Sequence, residues 1–456
     1  MKLFWSQKWK SKFMNFVQHL KPTQVVLLSF IILIAVGTLL LTLPCATLNG
    51  EGLTWINALF TATSAACVTG LTVIDVQQEL TFFGTVTLAL LIQIGGLGMM
   101  TLGALVAIVL GRKVKLHERI LLQESLNQDV TGGVVRLTIR IAKYTLAIET
   151  FFALILSWHF YPEFGWRSFG YGFFHAVSSF CNAGFDLFGN YDSLVLRNTD
   201  SFLLMATALL IILGGLGFVV LDDLLHIRRW CLFSLQTKVV LTTTAILILV
   251  GTLTIYGAEW NNLKTIGNLP VDTQLLNSFF TSVSTRTAGF NSFDLSVAKE
   301  MTLLIIIILM FIGASPASTG GGIKTTTLAV ILLTTWSVLR GHKDIVIFGR
   351  TIDASLQSKA MAVFTLTIVW VTLAFLALMV ADGGRHPLTF VLFETVSAYA
   401  TVGLSAGITT EWNVAGKLIL VATMFVGRVG ILTFVLSLME QNDELIKYPS
   451  ENVMIG

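Results

Sequence analysis

The stretch that decides the fold is Ser64-Ala65-Ala66-Cys67-Val68-Thr69-Gly70-Leu71, because related stretches recur three more times along the chain. The other copies end in Gly184-Phe185, Gly289-Phe290 and Gly403-Leu404. A second signature follows each copy, with Gly95, Gly214, Gly313 and Gly427 lying 25, 30, 24 and 24 residues beyond the four motif glycines. Two linked motifs repeating in register predict a fourfold pseudo-repeat around one central axis.

The composition indicates a polytopic membrane protein. The 456 residues are 54% hydrophobic and 12% charged, with a mean hydropathy of +0.80, whereas a soluble domain carries about 25% charge. Several apolar runs are long enough to span a hydrocarbon layer of about 30 Å. The four Cys and seven His show no metal-ligand spacing, so we interpret the cysteines as small packing residues. We find no hydrolase or phosphate-binding motif and expect no enzymatic activity.

Each repeat predicts the same order of elements: a span, a half-length helix, a glycine turn and a second span. The first spans are predicted at 23–43, 139–160, 239–258 and 361–380, and the half-length helices at 55–66, 170–180, 273–284 and 388–399. The second spans are predicted at 81–110, 201–225, 301–339 and 415–438. The predicted fold is therefore all-α, with eight crossings and four re-entrant half-helices around one central pore.

The corresponding units are 23–111, 133–227, 237–340 and 355–439. A basic amphipathic segment, 1–22, is expected to lie on the inner leaflet, and a short cytoplasmic segment, 440–456, follows the last unit. With both termini inside, the inner segments hold 20 Lys and Arg and the outer segments hold 6. This bias supports that orientation and places the glycine turns towards the outside.

The turns predict a site for a monovalent cation. Irregular backbone at membrane depth is tolerated only where it is buried in protein or lines a wet cavity, and rings of carbonyl oxygens can replace the hydration shell of a cation. Glycine allows such a turn to aim its carbonyls inward. The candidate ion-binding carbonyls, here called the filter loops, belong to Val68, Thr69 and Gly70; Asn182, Ala183 and Gly184; Thr287, Ala288 and Gly289; and Thr401, Val402 and Gly403.

Two interpretations of the role of these glycines remain open. They could serve only for close helix packing, as single small-residue patterns often do in membranes. Four registered copies, each preceded by a half-length helix, favour the carbonyl filter instead. No Asp or Glu occupies the motif, which argues against a carboxylate ring for divalent cations.

The second span of the third unit is interrupted by the gate loop, which consists of Gly313, Ala314, Ser315, Pro316, Ala317, Ser318, Thr319, Gly320, Gly321 and Gly322. Such a segment cannot be regular helix facing lipid. We interpret it as a flexible loop that obstructs the pore beneath the filter. The alternative is a static kink.

Two basic residues, Lys324 and Arg428, are associated with the gate loop. Lys324 follows it and could hold its inner end or sit in the vestibule, and Arg428 occupies a position where the other three units have a small residue. A charge at membrane depth is a functional candidate by default. Arg428 could repel cations, donate hydrogen bonds to the gate loop, or pair with a carboxylate such as Glu394 or Asp294.

Other charged residues near the turns can be interpreted as structural. Arg286 is expected to brace its turn, with Glu394 as one possible partner. Several acidic residues outside the filter could concentrate cations at the outer mouth of the pore. They are Asp75, Glu79, Asp186, Asp192 and Asp294. Acidic residues of ordinary solvated external loops would give the same sequence pattern.

At this level of detail the chain resembles the Trk/Ktr/HKT superfamily of potassium transporters, and within it the KtrB-type pore subunit. The resemblance covers about residues 21–439 and rests on the four single-glycine loops, the segment from Gly313 to Lys324, and Arg428. It implies K⁺ uptake, gated by the loop, across a bacterial plasma membrane. It also implies a homodimer of pores on an octameric cytoplasmic ring of RCK (KtrA-type) subunits that bind ATP or ADP. Membrane lipids are further partners; no nucleic acid and no cofactor of this chain is implied.

The filter loops depart from the TVGYG pattern of potassium channels, because each contains one glycine. We therefore expect weaker discrimination, with Rb⁺ and some Na⁺ permeation or Na⁺ dependence. One alternative function is an alternating-access Na/K or H/K symporter, which usually contains discontinuous helices in symmetry-related pairs; only one broken span is predicted here. A second is a scaffold or receptor without transport.

Overall fold

The structure is a computed structural model that describes residues 21–98, 101, 105, 119–120, 123, 133–227, 229–342 and 344–439. The predicted amphipathic helix at the N-terminus, most of the predicted extension of the 81–110 span beyond residue 98, and the segment 440–456 lie outside the described residues.

The described residues are mostly helical, which confirms the predicted fold class. The first helices of the four units are α1 (Pro22–Leu41), α5 (Val134–Phe164), α9 (Leu235–Glu259) and α13 (Ala354–Asp382). The half-length pore helices are α2 (Trp55–Ala66), α6 (Ser168–Phe180), α10 (Val271–Ser284) and α14 (Leu388–Ala400). After the filter loops come α3 (Val76–Glu79), α4 (Phe82–Leu97), α7 (Ser201–Gly215), α8 (Phe218–His226), α11 (Glu300–Phe311), α12 (Thr325–Leu339), α15 (Val414–Val429) and α16 (Ile431–Leu438).

The packing of these helices closes into a ring. In every unit the first helix packs against its own pore helix. The helix that follows the filter loop packs against the pore helix of the next unit: α4 against α6, α7 against α10, α11 against α14, and α15 against α2. Because the fourth unit contacts the first, the four pore helices surround a common centre.

The second-signature glycines permit close contact between these elements. A Cβ atom on Gly95, Gly214 or Gly427 would collide with a backbone carbonyl at the end of the preceding pore helix, on Ala66, Phe180 and Tyr399 respectively. Each of those carbonyls belongs to the residue four positions before a filter glycine. In these three units the pairing of the two signatures therefore reflects a packing contact between a pore helix and the helix after its filter loop.

The predicted continuous spans at 201–225 and 415–438 are wrong, as is the expectation of a single broken span. The chain turns by 101° between α7 and α8 and by 95° between α15 and α16. The breaks lie at Gly217 (φ 93°) and Gly430 (φ 90°), and α4 ends at Gly98 with φ 84°. Such values end a helix and strongly favour glycine. Pro316 occupies the equivalent position in the third unit.

Length and composition identify fewer spans than predicted. Among the described helices, α1, α9 and α13 are long and apolar enough to cross a membrane, and the count rises to five if each bent pair forms one span. The pore-following helices α4 and α11 are apolar but shorter. The eight crossings therefore stay a prediction.

A small hairpin interrupts the helical chain after α12. Strands β1 (Ile345–Ile347) and β2 (Arg350–Ile352) pair antiparallel. Their turn residues, Phe348 (φ 48°) and Gly349 (φ 74°), are both left-handed, which matches the twist of a two-residue hairpin. The all-α prediction missed this element.

Candidate ion-conducting pore

Each of the four filter glycines lies against the filter loop of the next unit. A Cβ atom on Gly70 would lie 2.6 Å from the carbonyl oxygen of Ala183, and one on Gly184 would lie 2.7 Å from that of Ala288. A Cβ atom on Gly289 would collide with the Val402 carbonyl oxygen, and one on Gly403 with that of Thr69. Each loop thus touches the next, and the circuit closes through backbone atoms alone.

The same backbone conformation recurs in all four loops. The glycines are left-handed, with φ between 67° and 96°, and so are the residues two positions earlier: Val68 (58°), Asn182 (60°), Thr287 (71°) and Thr401 (51°). Left-handed β-branched residues are rare, and each strained backbone residue costs about 1–3 kcal/mol. Such strain clusters at functional sites, and its repetition points to a common role for the loops.

A buried serine near the end of each pore helix holds the following loop. The carbonyl oxygens of Ser64, Ser178, Ser284 and Ser397 accept hydrogen bonds of 2.7–2.9 Å from the amide of the residue before the filter glycine. The hydroxyls of Ser64 and Ser397 also accept from the glycine amides at 3.1 Å. Those of Ser178 and Ser284 donate at 2.6 Å to the carbonyl oxygen of the residue after the glycine.

The predictions from sequence missed these serines, although the chain contains a signal for them. Each lies four residues after a buried phenylalanine, so that Phe-x-x-x-Ser recurs at 60–64, 174–178, 280–284 and 393–397. In the third unit this pair is one residue nearer to the glycine than in the others. Alignment on the glycines alone therefore hides the repeat.

Replacing Ser397 with alanine is expected to weaken cation selectivity. The substitution leaves the buried amide of Gly403 without its hydroxyl acceptor, which costs about 1–3 kcal/mol. We expect the ratio of K⁺ to Na⁺ uptake to fall by about fivefold or more, given that 1 kcal/mol is a factor of about five. Ser358→Ala, at an exposed position on α13, is the matched control. An unchanged ion ratio in the Ser397 variant would show that the hydroxyl is dispensable.

The filter carbonyls remain available for a ligand. No donor among the described residues forms a hydrogen bond with the carbonyl oxygen of any of the twelve filter-loop residues. Buried carbonyls are nearly always paired in proteins. A dehydrated cation is the chemical species that oxygen atoms in a closed ring can hold.

The gate loop docks on the second unit. The amide of Ser315 donates to the Gly215 carbonyl at 3.1 Å, and the amide of Phe218 donates to that of Ala317 at 2.8 Å. The Thr319 hydroxyl donates to the carbonyl of Gly214 at 3.2 Å. The helix break between α7 and α8 therefore supplies the backbone groups that fix one side of the loop.

The other side of the gate loop contacts the filter loops. The amide of Gly321 donates to the Thr401 hydroxyl at 3.0 Å, and a Cβ atom on Gly320 would collide with the Thr287 hydroxyl. The Asn182 amide accepts from that hydroxyl at 3.3 Å in the orientation that satisfies its neighbours. Displacement of the gate loop would therefore alter contacts of three filter loops.

Both basic side chains predicted to lie near the gate loop, those of Lys324 and Arg428, contact it. Lys324 donates through Nζ to the carbonyl of Gly320 at 2.6 Å. Arg428 donates through Nη1 to the carbonyl of Thr319, and through Nη2 to the carbonyls of Gly95 and, at 3.3 Å, Gly96. Arg428 therefore joins the gate loop to the end of α4.

The carboxylate partners suggested for Arg428 and Arg286 are not observed. Glu394 instead accepts hydrogen bonds from the hydroxyls of Ser405 and Thr409, and Asp294 accepts from the amide of Ser296. Within the described part of the chain, neither Arg428 nor Arg286 forms an ion pair. Each of the two acids satisfies a loop of its own, which sequence distance cannot show.

Two of the acidic residues outside the filter accept hydrogen bonds from backbone amides. Asp75 caps α3 and accepts a further hydrogen bond from the amide of Asn190. Asp186 accepts from the amide of Phe188 at 2.9 Å. These bonds give both carboxylates a local structural role.

A cavity of about 390 Å³ lies on the gate-loop side of the ring. Ser318, Gly320, Lys324, Tyr399, Arg428 and Thr433 are among its lining residues. Its size would accommodate a hydrated monovalent cation together with several further water molecules. The gate loop, Lys324 and Arg428 therefore line one shared cavity.

Residues 2–448 match the protein family described as TrkH, cation transport protein. This chain belongs to the TrkH family. The family resemblance expected from the glycine motifs is confirmed, and with it the assignment to membrane cation transport.

Relatives of this TrkH-family chain extend over nearly its whole length. Ktr system potassium uptake protein B of Bacillus subtilis is 43% identical to this chain. The matched region covers 98% of this chain and 99% of the Bacillus subtilis protein. The protein of the same description in Vibrio alginolyticus is 41% identical, covering 95% and 94%. Potassium/sodium uptake protein NtpJ of Enterococcus hirae is 39% identical, covering 96% and 98%.

The fold of this TrkH-family chain is also that of a solved structure. The crystal structure of the potassium transporter TrkH from Vibrio parahaemolyticus superposes with a TM-score of 0.70 at 17% sequence identity. The match covers 91% of this chain and 84% of that one. At this identity the similarity establishes the fold alone.

Proposed function

We propose that this chain is the pore-forming subunit of a potassium uptake system in a bacterial plasma membrane. K⁺ passes through the ring of four filter loops, coordinated by backbone carbonyls. The observation that carries the proposal is the closed circuit of glycine contacts, from Gly70 through Gly184 and Gly289 to Gly403 and back. The names of the relatives support potassium as the ion.

The gate loop forms the barrier next to the filter. Its hydrogen bonds to Gly214 and Gly215 hold it to the second unit, and Arg428 holds it to α4. Lys324 and Arg428 also add positive charge to the cavity, which opposes cation entry. Loosening these contacts opens the pathway.

Regulation acts in trans. The relatives are named as members of Ktr systems, which supports a separate regulatory subunit. We propose a cytoplasmic octameric RCK (KtrA-type) ring that binds ATP or ADP beneath a homodimer of this chain, with both termini on the cytoplasmic side. The potassium/sodium description of the relative from Enterococcus hirae supports Na⁺ as a second transported or activating ion.

Alternating-access symport is the second candidate function. The sequence predicted only one broken span, whereas the structure also bends at Gly217 and Gly430. These bends favour symport, since discontinuous helices are common in such transporters. The ring itself favours the pore, because its candidate ligands are backbone carbonyls and not ionisable side chains.

Uptake of radioactive Rb⁺ into proteoliposomes that contain the full chain tests the proposal. We expect uptake down an imposed K⁺ gradient without any Na⁺ or proton gradient, competed by K⁺ more strongly than by Na⁺. A fixed stoichiometric requirement for Na⁺ or protons would establish the symporter instead. Protein-free vesicles provide the background, and uptake no greater than theirs, with and without those gradients, would contradict both functions.

A further inference from the structure

A buried carboxyl group lies directly behind the second filter loop. Glu149, in the middle of α5, is only 4% exposed. One of its oxygens accepts a hydrogen bond of 3.1 Å from Nε2 of Gln93 on α4. The other lies 3.8 Å from the sulfur of Cys181, and Cys181 immediately precedes Asn182, the first filter residue of that loop.

The described helices packed around Glu149 offer it no basic side chain. Helices α4 and α7 contain no ionisable side chain, and α6 is followed by the Cys181 thiol, which faces Glu149. His175 of α6 bonds instead to the Thr207 hydroxyl at 2.9 Å. Among the described residues, Glu149 forms no ion pair.

Charges on more distant elements are engaged elsewhere. Asp222 of α8 pairs with Arg140, which lies on α5 itself, at 2.9 Å. Arg428 of α15 is separated from Cys181 by the end of α4, where it donates to the Gly96 carbonyl at 3.3 Å. A Cβ atom on Gly96 would lie 2.7 Å from the Cys181 sulfur. Cys181 therefore lies between Glu149 and the end of α4 to which Arg428 is bonded.

An ionised carboxylate without a cation is costly at membrane depth. The group can avoid that cost by taking a proton from water and return it when the surrounding pH rises. Loss of the proton leaves one negative charge behind the carbonyls of the second filter loop. In a medium of low dielectric such a charge attracts a cation in the ring.

We propose that Glu149 is a proton-binding positioning residue that sets the K⁺ affinity of the filter through its contact with Cys181. The proposal rests on the filter function proposed above. The neutral carboxyl group holds Gln93 and Cys181 in place and leaves the filter at its lower affinity. The ionised group raises the affinity, so the KM for K⁺ falls as pH rises.

The test is the pH profile of Rb⁺ uptake by the full chain in proteoliposomes buffered alike on both sides. For the wild type we expect KM to fall threefold or more between about pH 6 and 9, the range in which buried carboxyl groups titrate. Glu149→Gln should keep the acid-side KM throughout. Glu300→Gln, at an exposed carboxyl, is the matched control and should follow the wild type.

A wild-type KM that is flat across this range, or a Glu149→Gln variant that keeps the wild-type change, would overturn the proposal. If the Gln variant does not fold, Gln93→Leu serves in its place, because it removes the amide donor while the carboxyl group still titrates. It should move the pH at which KM changes; an unchanged midpoint also overturns the proposal. Selective wild-type uptake at a single pH tests the filter independently, so the two failures are distinguishable.

Discussion

Alanine at Gly403 is expected to destroy selective uptake. The residue has φ 91°, a conformation that costs a non-glycine residue about 1–2 kcal/mol. Its new Cβ atom would also collide with the carbonyl of Thr69 and lie 2.9 Å from the Cα of Gly70. Since both are backbone atoms, the first and fourth filter loops must separate. We expect Rb⁺ uptake to fall at least about tenfold, or Na⁺ to enter with comparable ease.

Gly257→Ala is the matched control for this experiment. Gly257 lies within α9 and has open space where a Cβ would be added, so uptake should stay at the wild-type level. Gly70→Asp and Gly289→Ser should behave like Gly403→Ala, because their loops meet in the same ring. Variants that fold and keep the wild-type ratio of K⁺ to Na⁺ uptake would reduce the ring to a packing device.

Replacement of Arg428 by glutamine is expected to raise uptake in the absence of any regulatory partner. The guanidinium connects the carbonyl of Thr319 in the gate loop to those of Gly95 and Gly96. A hydrogen bond from a charged donor contributes about 1.5–3 kcal/mol, and 1.4 kcal/mol is a factor of ten. Loss of this connection also removes positive charge from the cavity. We therefore expect basal Rb⁺ uptake to rise about tenfold or more.

Arg340→Gln provides the control, because Arg340 is exposed at the end of α12 and stacks on Trp336 at 4.7 Å. Deletion of residues 314–321 should raise basal uptake at least as much as Arg428→Gln, since it removes the proposed obstruction itself. Wild-type basal rates in both the Arg428 variant and the deletion would mean that the segment is a static kink and that Arg428 is no barrier.

Much of the pore could be predicted from the chain because its features are local. A half-length apolar helix that ends before glycine, as at Ala66 and Gly70, is visible as a run of residue types. The gate loop is visible for the same reason, since small residues and Pro316 cannot continue a helix in lipid. Fourfold repetition turned these weak local signals into a specific arrangement.

Features that depend on the meeting of distant residues were not predictable in this way. The partners of Arg428 are backbone carbonyls, which every residue carries, and so nothing in the chain distinguishes Thr319 or Gly95 as acceptors. The breaks at Gly217 and Gly430 resemble ordinary packing glycines, because glycine occurs in straight membrane helices as well.

By itself, the sequence determined the membrane class and the family, and it predicted the four repeats and the positions of the filter and gate loops. Periodicity, glycine spacing and charge bias are properties of the residue order, so they can be recognised in the sequence alone. Only the tertiary structure decided that the loops close into one ring, that the buried serines of the pore helices hold them, and that Glu149 lies behind Cys181. The ring contacts and the Glu149–Cys181 contact join residues far apart in the chain, so they depend on how the helices pack and not on any local preference.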